Sequence, residues 1–456
     1  MSTRSYEIDM AKGSIFKNIV AFALPLILGN LLQLFYNAAD IIVVSRFAGS
    51  SAMASVGATG SLNALLVNGF VGISLGATVL VSRCYGARDY AGLHRAVHTS
   101  VGIGFVVGIL ATVVGLSFSK SILEIMGTPE GKVLNGAVLY MRIIFVGVPA
   151  SMVYNFGAAV MRAVGDTKRP LYILAATGVV NVVLNLVLVI VFHMGVAGVA
   201  IATVVANYLS AIAVLTALMR SESAYKLIIK HIRFYKEEIV QIFKIGIPAA
   251  IQSMMFSLSN TIIQSSVNSF GEPAIAGNAA GANIEGFVYT AMYAFHQATV
   301  TSVSQNYGAR DEKRVKRSTY TAIGCVTVVG FILGLLTVIF DEQLLGIYIS
   351  DSPKAIEFGV IRILYTGLPY FLCGIMDVMA GTLRGLGYST LSAVNSLVGA
   401  CGLRILWVSF VVPNYHSTQM LFLCWPISWC VVIFMHLVCY FIIRKKAFSK
   451  MRMQEN

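Results

Sequence analysis

The sequence predicts an all-α integral membrane protein with twelve transmembrane helices in two pseudo-symmetric six-helix lobes. Three observations point there. Apolar residues make up 57% of the 456-residue chain, charged residues only 12%, and mean hydropathy is +0.78. That charged share is about half of what a soluble domain carries, so a water-facing surface cannot be covered, which excludes a soluble enzyme or a nucleic-acid-binding domain. A hydrocarbon core about 30 Å thick needs roughly 20 apolar residues of helix, and about twelve such runs occur. Finally, the chain repeats itself. VSRCYGARD around Tyr85 returns as VSQNYGARD around Tyr307, and Arg162 in MRAVG returns as Arg384 in LRGLG, both 222 residues later; Pro25 and Pro248 lie 223 apart. Repeats of this size divide a transporter-like chain into halves.

Taken in order, the first run (16–45) carries Pro25 and then Asp40, its one carboxylate. Gln33, Tyr36 or Asn37, and Asp40 share a helical face. The second (52–81) contains the glycine-rich stretch 57–78, which suits close helix packing. The third and fourth cover 97–118 and 134–160. The fifth (171–192) holds the i, i+4 pair Asn181 and Asn185, and the sixth (196–219) holds Thr203. A basic stretch over 220–238 then reads as a cytoplasmic amphipathic helix on anionic lipid. The seventh run (239–268) carries Pro248, Asn260 and Gln264; the eighth (274–303) carries the stripe Glu285, Tyr289, Met292 and His296. The ninth covers 319–340. The tenth (356–383) places Asp377 on a face with Tyr370, Cys373 and Gly381; the eleventh (389–412) contains Arg404, and the twelfth covers 418–443. The ten-residue alternation of a membrane barrel is missing. These runs set the expected domains: 14–220, a linker at 221–238, 239–445, and a basic tail at 446–456.

Charge sets the orientation. The net charge of +13 comes from basic residues on one set of termini and loops, from Arg4 to Arg452 and including Arg384. The opposite set holds only Arg46, Lys120, Lys132 and Lys354. The positive-inside bias places both termini in the cytoplasm of a multi-pass protein of the cell's inner membrane. The N-terminus is too polar for a signal peptide. The seven cysteines form no CxxC pair and nearly all lie in apolar runs, where a thiol acts as a small hydrophobe.

A charged side chain deep in the bilayer costs at least about 2.5–3.5 kcal/mol, so such residues are functional candidates. Asp40 lies six residues before Arg46, Asn185 eight before His193, and Thr203 five after Gly198. At a rise of 1.5 Å per residue all three sit about 7–12 Å below the outer helix ends. Oxygen groups from three helices at one level suit Na⁺, or an Asp40 that binds and releases a proton. The alternative is that the amides and the threonine merely hold helices together. In the second half Glu285, Asp377 and Arg404 form a possible polar site, with Arg404 as ion-pair partner of either acid. No GxxxxGK[ST] or HExxH occurs. His94 and His98 read as interfacial, and the YGARD repeats as architecture at span ends.

These motifs together resemble the multidrug and toxic compound extrusion (MATE) transporters across essentially the whole chain, with the bacterial DinF-like branch the nearest match. The resemblance rests on Pro25 followed by Asp40, the doubled YGARD, MRAVGDT, Asn181-x-x-x-Asn185 and GVAGVAIAT. It implies two lobes around a central cavity, exporting organic cations and amphipathic drugs in exchange for H⁺ or Na⁺, with no cofactor. Asp40 matches the family's first-helix carboxylate, Asn181 and Asn185 its fifth-helix pair, and Thr203 its sixth-helix threonine. Two departures follow: Phe256 and Cys373 stand where some branches carry acids. The substrate is expected among Gln33, Tyr36, Asn260, Gln264, Tyr289, Met292 and Tyr293, since aromatic and methionine surfaces suit amphipathic cations. Expected partners are small-molecule drugs and the lipid bilayer, with no nucleic acid, and the protein is expected to act as a monomer. A flippase or exporter of a lipid-linked or polysaccharide precursor is the second reading, favoured by a cavity lined by several arginines. A membrane-embedded enzyme would need a nucleophile–base pair or a metal cluster at one depth.

Overall fold

Residues 6–349, 352–415 and 417–453 are described by a computed structural model. Twelve long helices follow the expected order. They are α1 Ile15–Ala48, α2 Ser51–Gly86, α3 Tyr90–Ile125, α4 Lys132–Ala163, α5 Lys168–Val191, α6 Gly195–Met219, α7 Lys236–Asn268, α8 Glu272–Gly308, α9 Glu312–Ile339, α10 Pro353–Gly367 continuing as Tyr370–Gly385, α11 Ser389–Tyr415 and α12 Thr418–Ser449. Ten pass a test of length and apolarity for crossing a membrane, and α10 joins them as a pair bent by 42°. α8 does not pass, because it is rich in amides, hydroxyls and small residues. Yet 24 of its 37 residues are buried, so its polar groups face protein rather than lipid, where bilayer-depth polarity is tolerated.

The chain divides into two compact units, Met1–Ile8 with Leu28–Gly246, and Asp9–Ile27 with Ile247–Asn456. Their limits fall inside α1 and α7, so Ile15–Ile27 of α1 belongs with the second unit and Lys236–Gly246 of α7 with the first. In the first unit the core is built on Phe145, Met152 and Phe156 of α4. α3 approaches α4 closely because Gly115 leaves room for the Phe145 ring, which an added Cβ would meet at 2.0 Å. The other face of α3 presents Phe105, Ile109, Leu110 and Val113, exposed as lipid contacts require. The second unit's core gathers Phe422, Trp425 and Trp429 of α12 around Cys373 and Met376 of α10.

The two YGARD copies are corners. Arg88 and Arg310 take the left-handed conformation (φ +56° and +58°), and the next residue caps the following helix. Asp89 accepts from the Gly92 amide and Asp311 from the Arg314 amide, both at 2.8 Å.

The stretch after α6 differs from the expectation of an amphipathic helix. Its one helical element is the 3₁₀ turn Ile229–His231. Tertiary bonds replace helical ones. The Ile228 amide donates to His98 Nε2 at 2.9 Å, Thr99 Oγ1 donates to the Arg233 carbonyl at 3.1 Å, and Arg95 pairs with Glu238 at 2.7 Å. His98 is fully buried, and it anchors this segment to α3.

Candidate functional site

Four helical positions converge in the first unit. Asn185 on α5 donates through Nδ2 to Asp40 Oδ1 on α1 at 2.6 Å. One turn deeper, Asn181 Nδ2 lies 3.5 Å from Thr203 Oγ1 on α6, and that hydroxyl donates to the Val199 carbonyl at 3.1 Å. Asn185 is 0% exposed, and its Oδ1 has no hydrogen-bond partner among the described residues. A buried amide oxygen left unbonded beside a carboxylate is costly, so the cluster has an acceptor in reserve. Both helices widen into a π-helical turn just beyond these residues, at Val44–Ala48 and Val187–Val191. Such turns displace backbone from the regular ladder and recur at functional sites.

Two residues expected at the substrate surface, Tyr36 and Gln33, lie on α1. Tyr36 packs on α5: its hydroxyl donates to the Ala175 carbonyl at 3.1 Å, and its ring fills the space above Gly178, where a Cβ would lie 1.9 Å away. Gln33 is exposed.

The second unit holds a separate polar cluster around a cavity of about 280 Å³, lined in part by Asn260, Gln264, Asn278, Glu285, Tyr289, Arg362, Tyr370 and Trp425. Arg362, on the first segment of α10, forms a bidentate pair with Glu285 of α8, Nε to Oε1 at 3.0 Å and Nη2 to Oε2 at 2.6 Å. Its Nη1 donates to Asn278, and Thr366 donates to Glu285. Asn278 Nδ2 donates in turn to Gln264 Oε1 at 2.8 Å. Expectation and structure differ here: Glu285 is paired, but with Arg362 and not with Arg404. Arg404 donates to Ser428 Oγ at 2.9 Å instead. The sequence signal for Arg362 was an arginine inside the tenth apolar run.

Asp377 forms a third group. Its backbone carbonyl meets His296, which in turn meets Arg384. Arg384, expected in a cytoplasmic loop, is buried, and donates to Gln252 Oε1 at 2.8 Å. His296 fixes this corner: Nδ1 sits 2.7 Å from the Asp377 carbonyl and Nε2 3.1 Å from Arg384 Nη1. A carbonyl only accepts and a guanidinium only donates, so the ring is neutral and protonated at Nδ1. His296 thus bridges the backbone of Asp377 and the guanidinium of Arg384. Met292 does not line the cavity. It is fully buried, with its sulfur 2.7 Å from where a Cβ on Gly374 would be. Tyr293 accepts from Gln297 at 3.0 Å and stacks on His296. Phe256 and Cys373 both pack in the second unit's apolar core.

One family model, MatE, matches the chain twice, over residues 25–187 and 248–408. The two matches cover well over half of the chain and fall on the two copies of the internal repeat. The chain belongs to the MatE family. As a MatE protein it is a membrane transporter and not an enzyme. It is 27% identical to the Probable multidrug resistance protein YoeA of Bacillus subtilis over 418 residues, 90% of each chain. It is 24% identical to the Multidrug export protein MepA of Staphylococcus aureus strain MSSA476, covering 92% of this chain and 91% of that one. Among solved structures, the outward-facing conformation of a multidrug resistance MATE family transporter of the MOP superfamily superposes with a TM-score of 0.88 at 19% identity, covering 99% of both chains. The MatE fold therefore accounts for the twelve helices in two lobes, including α8.

Proposed function

We propose that this MatE protein is a secondary-active multidrug efflux antiporter, exporting organic cations and amphipathic drugs in exchange for a proton taken up at Asp40. The relatives named for multidrug resistance and export support the drug substrates. The observation that carries the coupling reading is the Asp40–Asn185 contact at 2.6 Å, beside the unbonded Asn185 oxygen. Asn185 turns its amide nitrogen, a donor, toward Asp40, and so offers no oxygen for a cation shared across this contact, whereas a proton on the acid needs none. Na⁺ is the second reading, favoured by the number of oxygens that Asn181, Asn185 and Thr203 bring.

In the cycle, ionised Asp40 favours the drug-releasing outward state, and the protonated acid favours return. The ion drives transport only through its different affinity for the two states. Each charge crossing 100 mV contributes about 2.3 kcal/mol. The protein works in the cell membrane as a monomer with both termini in the cytoplasm. Precursor export remains the alternative function, and the buried Arg362, Arg384 and Arg404 favour it. Drug transport in proteoliposomes under separately imposed pH and sodium gradients tests the reading. The native protein is expected to respond to the pH gradient and Asp40→Asn to lose that response; normal export by Asp40→Asn under every gradient contradicts the mechanism.

A further inference from the structure

The second unit carries three buried arginines and two acids at membrane depth, and their pairing is uneven. Glu285 neutralises Arg362, and His296 bridges Asp377 and Arg384. Arg404 is 3% exposed, and no carboxylate lies within ion-pair distance of it among the described residues. Its contacts are the Ser428 hydroxyl and the face of the Trp425 ring, both neutral groups. A buried guanidinium with one neutral hydrogen bond, to Ser428, is an unfavourable arrangement unless an anion completes it.

The cavity adjoins this charge. Tyr370 and Trp425 form part of its wall, and the Trp425 ring carries both guanidiniums, Arg362 at 5.4 Å and Arg404 at 5.5 Å from the centroid. A ring already engaged by two cations repels a third, so the box that would hold an organic cation is taken. Arg362 uses three of its five N–H donors on Glu285 and Asn278, which leaves two, and it is part of the cavity wall. The other polar residues of the wall are amides, Tyr289, Tyr370 and Glu285, whose charge Arg362 neutralises.

We infer that this cavity is a recognition site for the carboxylate end of an aromatic amphipath, drawn by the uncompensated charge of Arg404 and bonded by the spare N–H groups of Arg362. A volume of about 280 Å³ admits an aryl carboxylate and little more. The site uses second-unit residues alone, and it goes beyond the antiport reading, which rests on Asp40.

Tryptophan fluorescence reads it selectively, since the chain's three tryptophans, Trp407, Trp425 and Trp429, all belong to the second unit. The purified full chain is titrated with 4-butylbenzoate, 4-butylbenzamide and 4-butylphenyl-trimethylammonium. The carboxylate is expected to quench saturably, binding about tenfold more tightly than the amide, as a charge-assisted bond provides, with the ammonium weakest. Arg404→Gln brings the carboxylate to the level of the amide, and Arg404→Lys, which keeps the charge, retains the preference. Absence of saturable quenching by the carboxylate, equal or tighter binding of the ammonium by the native protein, or an unchanged preference in Arg404→Gln overturns the site. Any of these with pH-coupled efflux of a cationic dye intact leaves the antiport reading standing.

Discussion

Asp40 and Arg404 are opposite charges, one in each unit, and neither has an oppositely charged partner among the described residues. Asp40 was legible in the sequence because counting residues to the helix end gives depth directly, and depth alone aligned it with Asn185 and Thr203. The true partner of Glu285 was not legible. Arg362 lies 77 positions away on another helix, and only packing decides which of several arginines reaches a given acid. Gly178 gives a residue-scale prediction. Its missing side chain is the space the Tyr36 ring occupies, so Gly178→Leu forces ring or helix to shift, at about 1–3 kcal/mol for overpacking. Thermal unfolding in detergent should show a clearly lower midpoint; an unchanged midpoint means Tyr36 does not pack there. Asn185→Ala removes the amide that contacts Asp40 while leaving the acid. Its efflux is expected to keep a pH response with a displaced midpoint, and a wild-type pH profile for this variant contradicts the assigned contact.

At the scale of elements, the apolar runs located all twelve helices, even α8, whose hydropathy alone does not mark it as a span. The π-helical turns at Val44–Ala48 and Val187–Val191, and that at Ile363–Gly367 holding Thr366, escaped the sequence. One inserted residue per turn leaves an apolar pattern nearly unchanged. The stretch after α6 was misread for a different reason: its amphipathic composition is real, but Tyr225 and Leu227 bury against the first unit and the backbone bonds to α3 side chains. The corner motifs were read as architecture, and their caps make that quantitative. Asp89→Ala and Asp311→Ala should each lower stability by about 1 kcal/mol, the usual worth of an N-cap. Their effects should add in the double variant, because the caps lie in separate units. Chemical or thermal unfolding of the three variants checks this, and strong non-additivity contradicts independent caps.

For the whole molecule, the repeat visible in the sequence matches the twofold hit of one family model, but the two halves have diverged in chemistry. The first keeps a lone carboxylate among amides; the second buries paired and unpaired arginines. The orientation inferred from basic residues is testable by labelling. Lys313→Cys should react with a membrane-impermeant maleimide from the cytoplasmic side only, and Lys120→Cys and Lys354→Cys from the outside only; the reverse pattern inverts the topology. In this antiport cycle drug and proton compete through Asp40. The most direct measurement is proton release on drug addition to the purified protein in weakly buffered detergent solution. Drug-dependent release is expected from the native protein, unaffected by sodium, and none from Asp40→Asn; equal release by both, or release of sodium in place of protons, contradicts competition at Asp40.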